Sequence, residues 1–389
     1  MTEEIDVNDG PGSVDVHELV LDQSDFETSD AYQSYLNRHS SVPKISASKT
    51  EGTTQEVVAT TKTGATKVFT LEGLPYTNVV QAAYVGTSNI YAVQYVKSEA
   101  KQVISRCVIS GSTATTDSSK KMVLKNFGHG QTLQYFTHNS TAYFWVVCKA
   151  TTLQAVDNGI VDQQLREDVN WGIQVGRIEY SDGGSHDSYT EIPRISNINA
   201  ANKAGTAYGS ILRCDAALSS SGDYLMIWMK NTAGHTQHSY YDAGTINTLL
   251  DAKESETSKY IMCTSDNVKA ACVDYHQFPS FTVPSTGTAS YQGFEFSDGL
   301  ATYISSGDYN GGEETSDSPV IGKYSWGSST PGSKVTLTST EISNRPNDHE
   351  IEGIQLKGDY VYVNMTFHAS VDGTQTVSHV IYTVPKTAF

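Results

Sequence analysis

Phe127-Gly128-His129-Gly130-Gln131-Thr132-Leu133-Gln134-Tyr135 reads as a turn running into a strand. Its second half is a polar residue, a small residue and a short apolar–variable–apolar pattern, and the next strand then carries Tyr143. The same grammar recurs four more times. Gln81-Ala82-Ala83-Tyr84-Val85 leads to Tyr91, and Asp215-Ala216-Ala217-Leu218-Ser219 leads to Tyr224. Gln292-Gly293-Phe294-Glu295-Phe296 leads to Tyr303, and Glu352-Gly353-Ile354-Gln355-Leu356 leads to Tyr362. Self-similar strand–turn–strand units spaced several dozen residues apart predict an all-β chain folded as a five-bladed β-propeller. Each unit then takes roughly 67 residues, more than the 40–50 of regular propeller families, so the surplus sits in loops. Loops on a rigid scaffold are where binding is built.

Composition agrees with a strand-rich fold. The chain of 389 residues has 23 Tyr and only 18% charged residues. Against 26 basic residues stand 43 acidic ones, a formal charge of −17 that repels phosphate backbones and excludes nucleic acid as a natural partner. Cys107, Cys148, Cys214, Cys263 and Cys272 form no CxxC pair, and several lie in apolar strand patterns, so they read as buried thiols. No apolar run approaches the ~20 residues of a membrane span, and the N-terminus has no classical signal pattern.

Residues 1–50 are acidic at first and then rich in Ser and Thr. They read as an N-terminal extension, partly helical (Asp22 to His39) or disordered, ahead of a propeller over residues 51–389. Within the propeller, Val79–Val85, Ile90–Val96 and Gln102–Ile109 form the first meander. Gln131–Phe136, Thr141–Lys149 and Trp171–Tyr180 form the second, interrupted by a polar insertion at Thr151–Asn170. Ser210–Leu218 and Tyr224–Lys230 open the third, which also holds a helix at Thr245–Ser255. The fourth contains Gln292–Phe296 and Ala301–Ser305, and the fifth Ile351–Leu356, Tyr360–Phe367 and Val377–Val384. An early strand within Gln55–Leu71 is expected to pair with the last one and close the ring.

With these units laid out, the chain resembles the helveticin J family of large bacteriocins over most of residues 70–385. The carrying motifs are Gly128-His-Gly-Gln-Thr-Leu-Gln-Tyr135, Trp171–Tyr180, Ile192-Pro-Arg-Ile-Ser196, Asp215-Ala-Ala-Leu-Ser219, Thr245-Ile-Asn-Thr-Leu-Leu-Asp251, Gln292-Gly-Phe-Glu-Phe296 and His349-Glu-Ile-Glu-Gly-Ile-Gln355. The resemblance implies a secreted or cell-surface antagonist of related bacteria without a known catalytic centre. The chain departs from the family pattern at Arg213-Cys214-Asp215, where His-Ala-Glu is usual, and in its acidic N-terminus.

If Gln81, Gln131, Asp215, Gln292 and Glu352 each open the innermost strand of a blade, symmetry gathers them at one mouth of a central channel. Two readings follow. Two carboxylates and three amides suit a sugar, water or a cation, or they bond neighbouring blades and hold the ring closed. His129, Arg213 and His349, two or three residues upstream, are candidates for the rim of the same mouth. His235-Thr-Gln-His238 reads as a loop rather than a metal site. Trp171 and Trp228 read as core, and Trp326 as the better exposed platform. No Gly-x-Ser-x-Gly, HExxH, P-loop or Rossmann pattern is present.

The reading drawn is a non-enzymatic, bacteriocin-like protein without cofactor or metal that binds a bacterial cell-envelope glycan. The alternatives are a propeller glycosidase using Asp215 and Glu352, and a structural or attachment propeller. Glycoside cleavage needs two carboxyls with separated pKa values, and three of the five repeat-leading residues are amides, which cannot shuttle protons.

Overall fold

The structure is a computed structural model that describes residues 60–151, 171–285, 291–307, 319–344, 349–369 and 375–389. The expected N-terminal extension and the 151–170 insertion fall almost entirely outside these residues. The described chain is mostly β. Two strands open it, β1 (Thr60–Gly64) and β2 (Thr66–Glu72). A first meander follows: β3 (Val80–Val85), β4 (Asn89–Val96) and β5 (Lys101–Ser110), then the short β6 (Thr113–Thr115) and β7 (Lys121–Lys125). The second runs β8 (Gln134–His138), β9 (Thr141–Ala150), β10 (Gly172–Ile178), a two-residue β11 (Ser185–His186) and β12 (Arg194–Ser196). The third has β13 (Ile211–Leu218), β14 (Tyr224–Asn231), β15 (Thr236–Asp242), helix α1 (Ala243–Asp251), β16 (Tyr260–Met262), α2 (Asp266–Ala271) and β17 (Cys272–Phe278). The fourth comprises β18 (Phe294–Phe296), β19 (Ala301–Ser306), β20 (Val320–Ser325) and β21 (Ser333–Thr338), followed by α3 (Thr340–Asn344). The fifth is β22 (His349–Lys357), β23 (Tyr360–His368) and β24 (Thr376–Pro385), completed by β2.

The pairing β2–β24 is antiparallel, with Thr66 opposite Thr383 and Leu71 opposite His379, so an early strand does finish the last meander. The short strands obey one rule. The segment between the third and fourth strands of a meander lies parallel on the outer strand of the preceding one. Thus β6 covers β2, β11 covers β7, and β16 covers β12. β1, which precedes β2, covers β21 in the same way. These additions shield edges that would otherwise offer unpaired backbone groups. β17 has no such partner among the described residues. Through β6 the first and fifth meanders join into one ten-stranded sheet.

Apolar residues fill the space between consecutive meanders. Met122 and Leu124 meet Phe144 and Val146; Trp145 and Val147 meet Cys214 and Leu225; Met226 and Trp228 meet Phe294 and Phe296. Tyr303 and Ile321 meet Val363 and Met365, and the circuit continues with Ile381 and Leu71 against Val80 and Ala83. All five cysteines are buried free thiols that pack as small apolar groups.

Several boundaries differ from the sequence expectation. Helix α1 begins at Ala243 rather than Thr245, because Asp242 caps it, its Oδ1 accepting from Thr245 N at 2.6 Å. β8 starts at Gln134 rather than Gln131, and β18 at Phe294 rather than Gln292. In both places the polar and small residues precede the regular ladder. α2 and α3 were not anticipated; each is short, with little periodicity to read.

Candidate functional site

The small residue after each repeat-leading polar side chain has a physical reason. A Cβ on Gly353 would lie 2.9 Å from Ala82 Cα, and one on Gly293 would lie 2.5 Å from Ile354 N. The first strands of neighbouring meanders therefore approach backbone to backbone, and only a very small side chain fits between them. Where the residue is larger it bonds instead: Thr132 Oγ1 accepts from Ala216 N at 2.9 Å. β-Bulges then aim the polar residues. The ladder skips Gln81 between Val80 and Ala82, and Glu352–Gly353 between Ile351 and Ile354.

Five of the eight predicted site residues form one buried network. Gln131 is its hub. Its Nε2 donates to Glu352 Oε2 at 2.7 Å and to Gln292 Oε1, while its Oε1 accepts from Arg213 Nη2 at 2.9 Å. The same Nη2 pairs with Asp215 Oδ2 at 2.7 Å, and Arg213 Nη1 donates to the Tyr291 carbonyl at 3.2 Å. Asp215 Oδ1 accepts from Gln131 N at 2.9 Å and Thr132 Oγ1 at 3.0 Å. The network thus links the second, third, fourth and fifth meanders.

Gln81 and His129 form a separate pair, His129 Nε2–H donating to Gln81 Oε1. Burial, reinforced by Arg213 and Lys97, pushes the His129 imidazole down to about 3, so it is neutral at pH 7 and can carry that donor proton. Its ring lies between Tyr95, at 5.2 Å, and Trp171, at 4.0 Å. Trp171 in turn packs against the Arg213 guanidinium at 3.6 Å, and Trp228 lies 5.0 Å beyond. A column Tyr95–His129–Trp171–Arg213–Trp228 therefore couples the pair to the network. His349 is buried at the start of β22, where its ring packs 5.9 Å from Phe367 rather than in the column.

A second tier, three residues beyond Gln131, Gln292 and Glu352, is not among the sequence expectations. Gln134 Nε2 donates to Glu295 Oε1 at 2.5 Å, and Glu295 Oε2 accepts from Leu356 N at 3.2 Å. Gln355 Oε1 accepts from Val85 N at 2.8 Å. These bonds tie the second meander to the fourth, the fourth to the fifth and the fifth to the first. Burial pushes the Glu295 carboxyl up to about 8, against the bonds from Gln134 and Leu356. The signal was present as the repeated spacing Gln131–Gln134, Gln292–Glu295 and Glu352–Gln355. A spacing of three changes face in a regular strand, so only the local irregularity makes it readable.

The remaining candidates lie elsewhere. Trp171 and Trp228 are buried, while Trp326 is half-buried with Nε1 donating to Asp274 Oδ2 at 2.8 Å. His238 is enclosed by Phe278, Phe281 and Phe294, and burial lowers its pKa to about 3. Among the described residues no group of three His, Cys, Asp or Glu is arranged to hold a metal ion. No helix there is long and apolar enough to cross a membrane.

Residues 57–387 match the family model described as bacteriocin helveticin-J. No curated protein matches the chain. Among solved structures, it is similar to a hypothetical protein from Leishmania major, with 10% identity, 86% of this chain and 93% of that chain covered, and a TM-score of 0.37. A GH43 endo-arabinanase from Bacillus licheniformis gives 9% identity, 83% and 96% coverage, and a TM-score of 0.36. A GH43B protein of the Bacteroides ovatus xyloglucan locus gives 13% identity, 83% and 54% coverage, and a TM-score of 0.38.

Proposed function

Because the chain belongs to the helveticin J bacteriocin family, we propose that it is a bacteriocin-like protein that acts by binding a cell-envelope glycan of other bacteria rather than by catalysis. In this reading it is released from, or displayed on, the producing cell, and its meanders close as a five-bladed β-propeller. The apolar clusters between consecutive meanders, including the last with the first, support that closure.

One observation carries the choice of binding over hydrolysis: the axial carboxylates are engaged by the protein itself. Asp215 takes bonds from Arg213, Gln131 N and Thr132, and Glu352 takes one from Gln131. Glu295 is protonated at neutral pH, as a general acid must be, but it is 3% exposed and bonded to Gln134 and Leu356. Gln81, Gln131, Arg213, Asp215, Gln292 and Glu352 then shape the channel mouth, and half-buried His129 is the member placed to meet a ligand there.

The test combines two measurements on washed cell walls from Gram-positive bacteria. Purified protein is expected to sediment with the walls, and no soluble reducing sugar should accumulate. A protein that stays in the supernatant over every wall preparation overturns the glycan reading. Sugar release that disappears in a folded Asp215→Asn/Glu352→Gln variant establishes the enzyme instead.

A further inference from the structure

The first and second meanders meet a second time, where Tyr84 near the end of β3 faces Tyr135 near the start of β8. Register fixes what faces what. On the first sheet Tyr84 lies opposite Tyr91, and Tyr91 opposite Arg106, so the three form one row across β3, β4 and β5. On the second sheet Tyr135 lies opposite Phe144, and Phe144 opposite Ile178, with Tyr180 two residues on and therefore on the same side. The rows interlock. Tyr84 stacks on Tyr135 with ring centres 5.0 Å apart, and Tyr91 packs edge-on against Tyr180 at 4.9 Å. Both sit over the buried Phe144.

The row ends in a polar clasp. Arg106 grips Asp182 through Nε and Nη2, its Nη1 donates to Asn89 Oδ1 at 3.3 Å, and Tyr180 Oη donates to Asp182 Oδ1 at 2.9 Å. Both ends of the row reach solvent: Tyr135 is 38% exposed, and the side chains of Arg106 and Asp182 are 24% and 39% exposed. Here four tyrosines place rigid flat faces and hydroxyls along one line.

We propose that this tyrosine row is a carbohydrate-binding site for a neutral β-1,4-linked glucopyranose or N-acetylglucosamine chain, with Tyr135 as the stacking platform and Arg106, Asp182 and Asn89 as hydroxyl partners. Sugars of this class have equatorial substituents, which leave a flat C–H face suited to a tyrosine ring. A planar Arg–Asp pair offers donors and acceptors side by side, matching vicinal hydroxyls. The pair carries no net charge, and the chain as a whole carries −17, so anionic wall polymers are disfavoured. Burial, the leading cause for Tyr84, Tyr91 and Tyr180, raises their pKa values and keeps the phenols as neutral donors.

The inference rests on the glycan reading above but names a different surface from the channel mouth. The experiment is calorimetric titration of the full chain with chitotetraose and cellotetraose, alongside wall sedimentation. The wild type is expected to bind at least one tetrasaccharide. Tyr135→Ala should weaken it about tenfold or more, Tyr135→Trp should stay within a few-fold of the wild type, and Tyr360→Ala, at an exposed tyrosine elsewhere, should leave it unchanged. Equal binding by wild type and a folded Tyr135→Ala removes the site while sparing the glycan reading. Sedimentation with walls but no binding of either tetrasaccharide also removes the site. Failure of both measurements overturns site and reading together.

Discussion

At Gln81, near the start of β3, and His129, in the segment ahead of β8, the first two sheets meet under Trp171 and beside the Arg213 network. They meet again through Tyr84, near the end of β3, and Tyr135, near the start of β8. The first contact is polar and mostly buried, with His129 half-buried, and the bonds named for Gln131 and Asp215 go to other protein groups. The second is aromatic and partly open, with Tyr135 and the side chains of Arg106 and Asp182 reaching solvent. The contrast separates two tasks. A buried polar network sets which strand sits beside which, because any misplacement leaves a charge unpaired. An exposed aromatic row adds little to register and leaves faces available to another molecule.

The largest expected effect falls on the polar side. Arg213→Met leaves the Asp215 carboxylate buried without its partner, and should lower unfolding stability by about 3–5 kcal/mol, read by chemical denaturation. Adding Asp215→Asn should recover part of that loss, because the uncompensated charge disappears. If the single variant is as stable as the wild type, the network is not what joins the meanders.

Next comes the close approach beneath the network. Gly353→Ala places a methyl against Ala82, where a Cβ would sit 2.9 Å from its Cα, and should cost about 1–3 kcal/mol. The same substitution at Gly358, in an open turn with φ of 54°, meets nothing within 4 Å and should cost less. Comparing the two melting temperatures tests whether crowding between neighbouring first strands, rather than turn strain, demands the small residue.

A pH dependence comes third. Glu295 has an ordinary value of 4.5 and about 8 in the folded chain. Its contribution is fully present below pH 4.5 and is lost as pH rises towards 8, because the unfolded carboxyl ionises first. His129 and His238, lowered to about 3, and His379, lowered to about 4, act in the opposite sense: stability falls as pH drops below 6.5. Above pH 6.5 the histidine contribution to the pH dependence fades while that of Glu295 persists towards 8, so the difference between wild type and Glu295→Gln across pH 6.5 to 8 reads Glu295. The melting temperature should decline across that interval in the wild type, and Glu295→Gln should flatten the decline. The smallest structural effect belongs to the open side, where Tyr135→Ala should cost no more than about 1 kcal/mol while removing the sugar platform.

Much of the fold was legible in the chain. Alternating apolar residues, Gly- and Asp-bearing turns and the polar–small repeat located every meander and named Gln131, Asp215, Gln292 and Glu352 before any of them was placed. The helix expected at Thr245–Ser255 lies at Ala243–Asp251, because Asp242 caps it two residues earlier. The second tier and the tyrosine row were not seen. Their members alternate with ordinary strand residues, and Tyr84, Tyr91, Tyr135 and Tyr180 are among 23 tyrosines.

Period-2 patterning, turn chemistry and internal repetition are local properties, so residue order alone is enough to specify an all-β chain of repeated meanders with a small residue behind each leading polar group. Which side chains touch across two sheets depends on bulge positions and on the register of strands far apart in the chain. A one-residue slip moves a side chain to the opposite face. That is why the Gln131 hub, the Arg213 guanidinium between two indoles and the line of four tyrosines became visible only once the sheets were packed together.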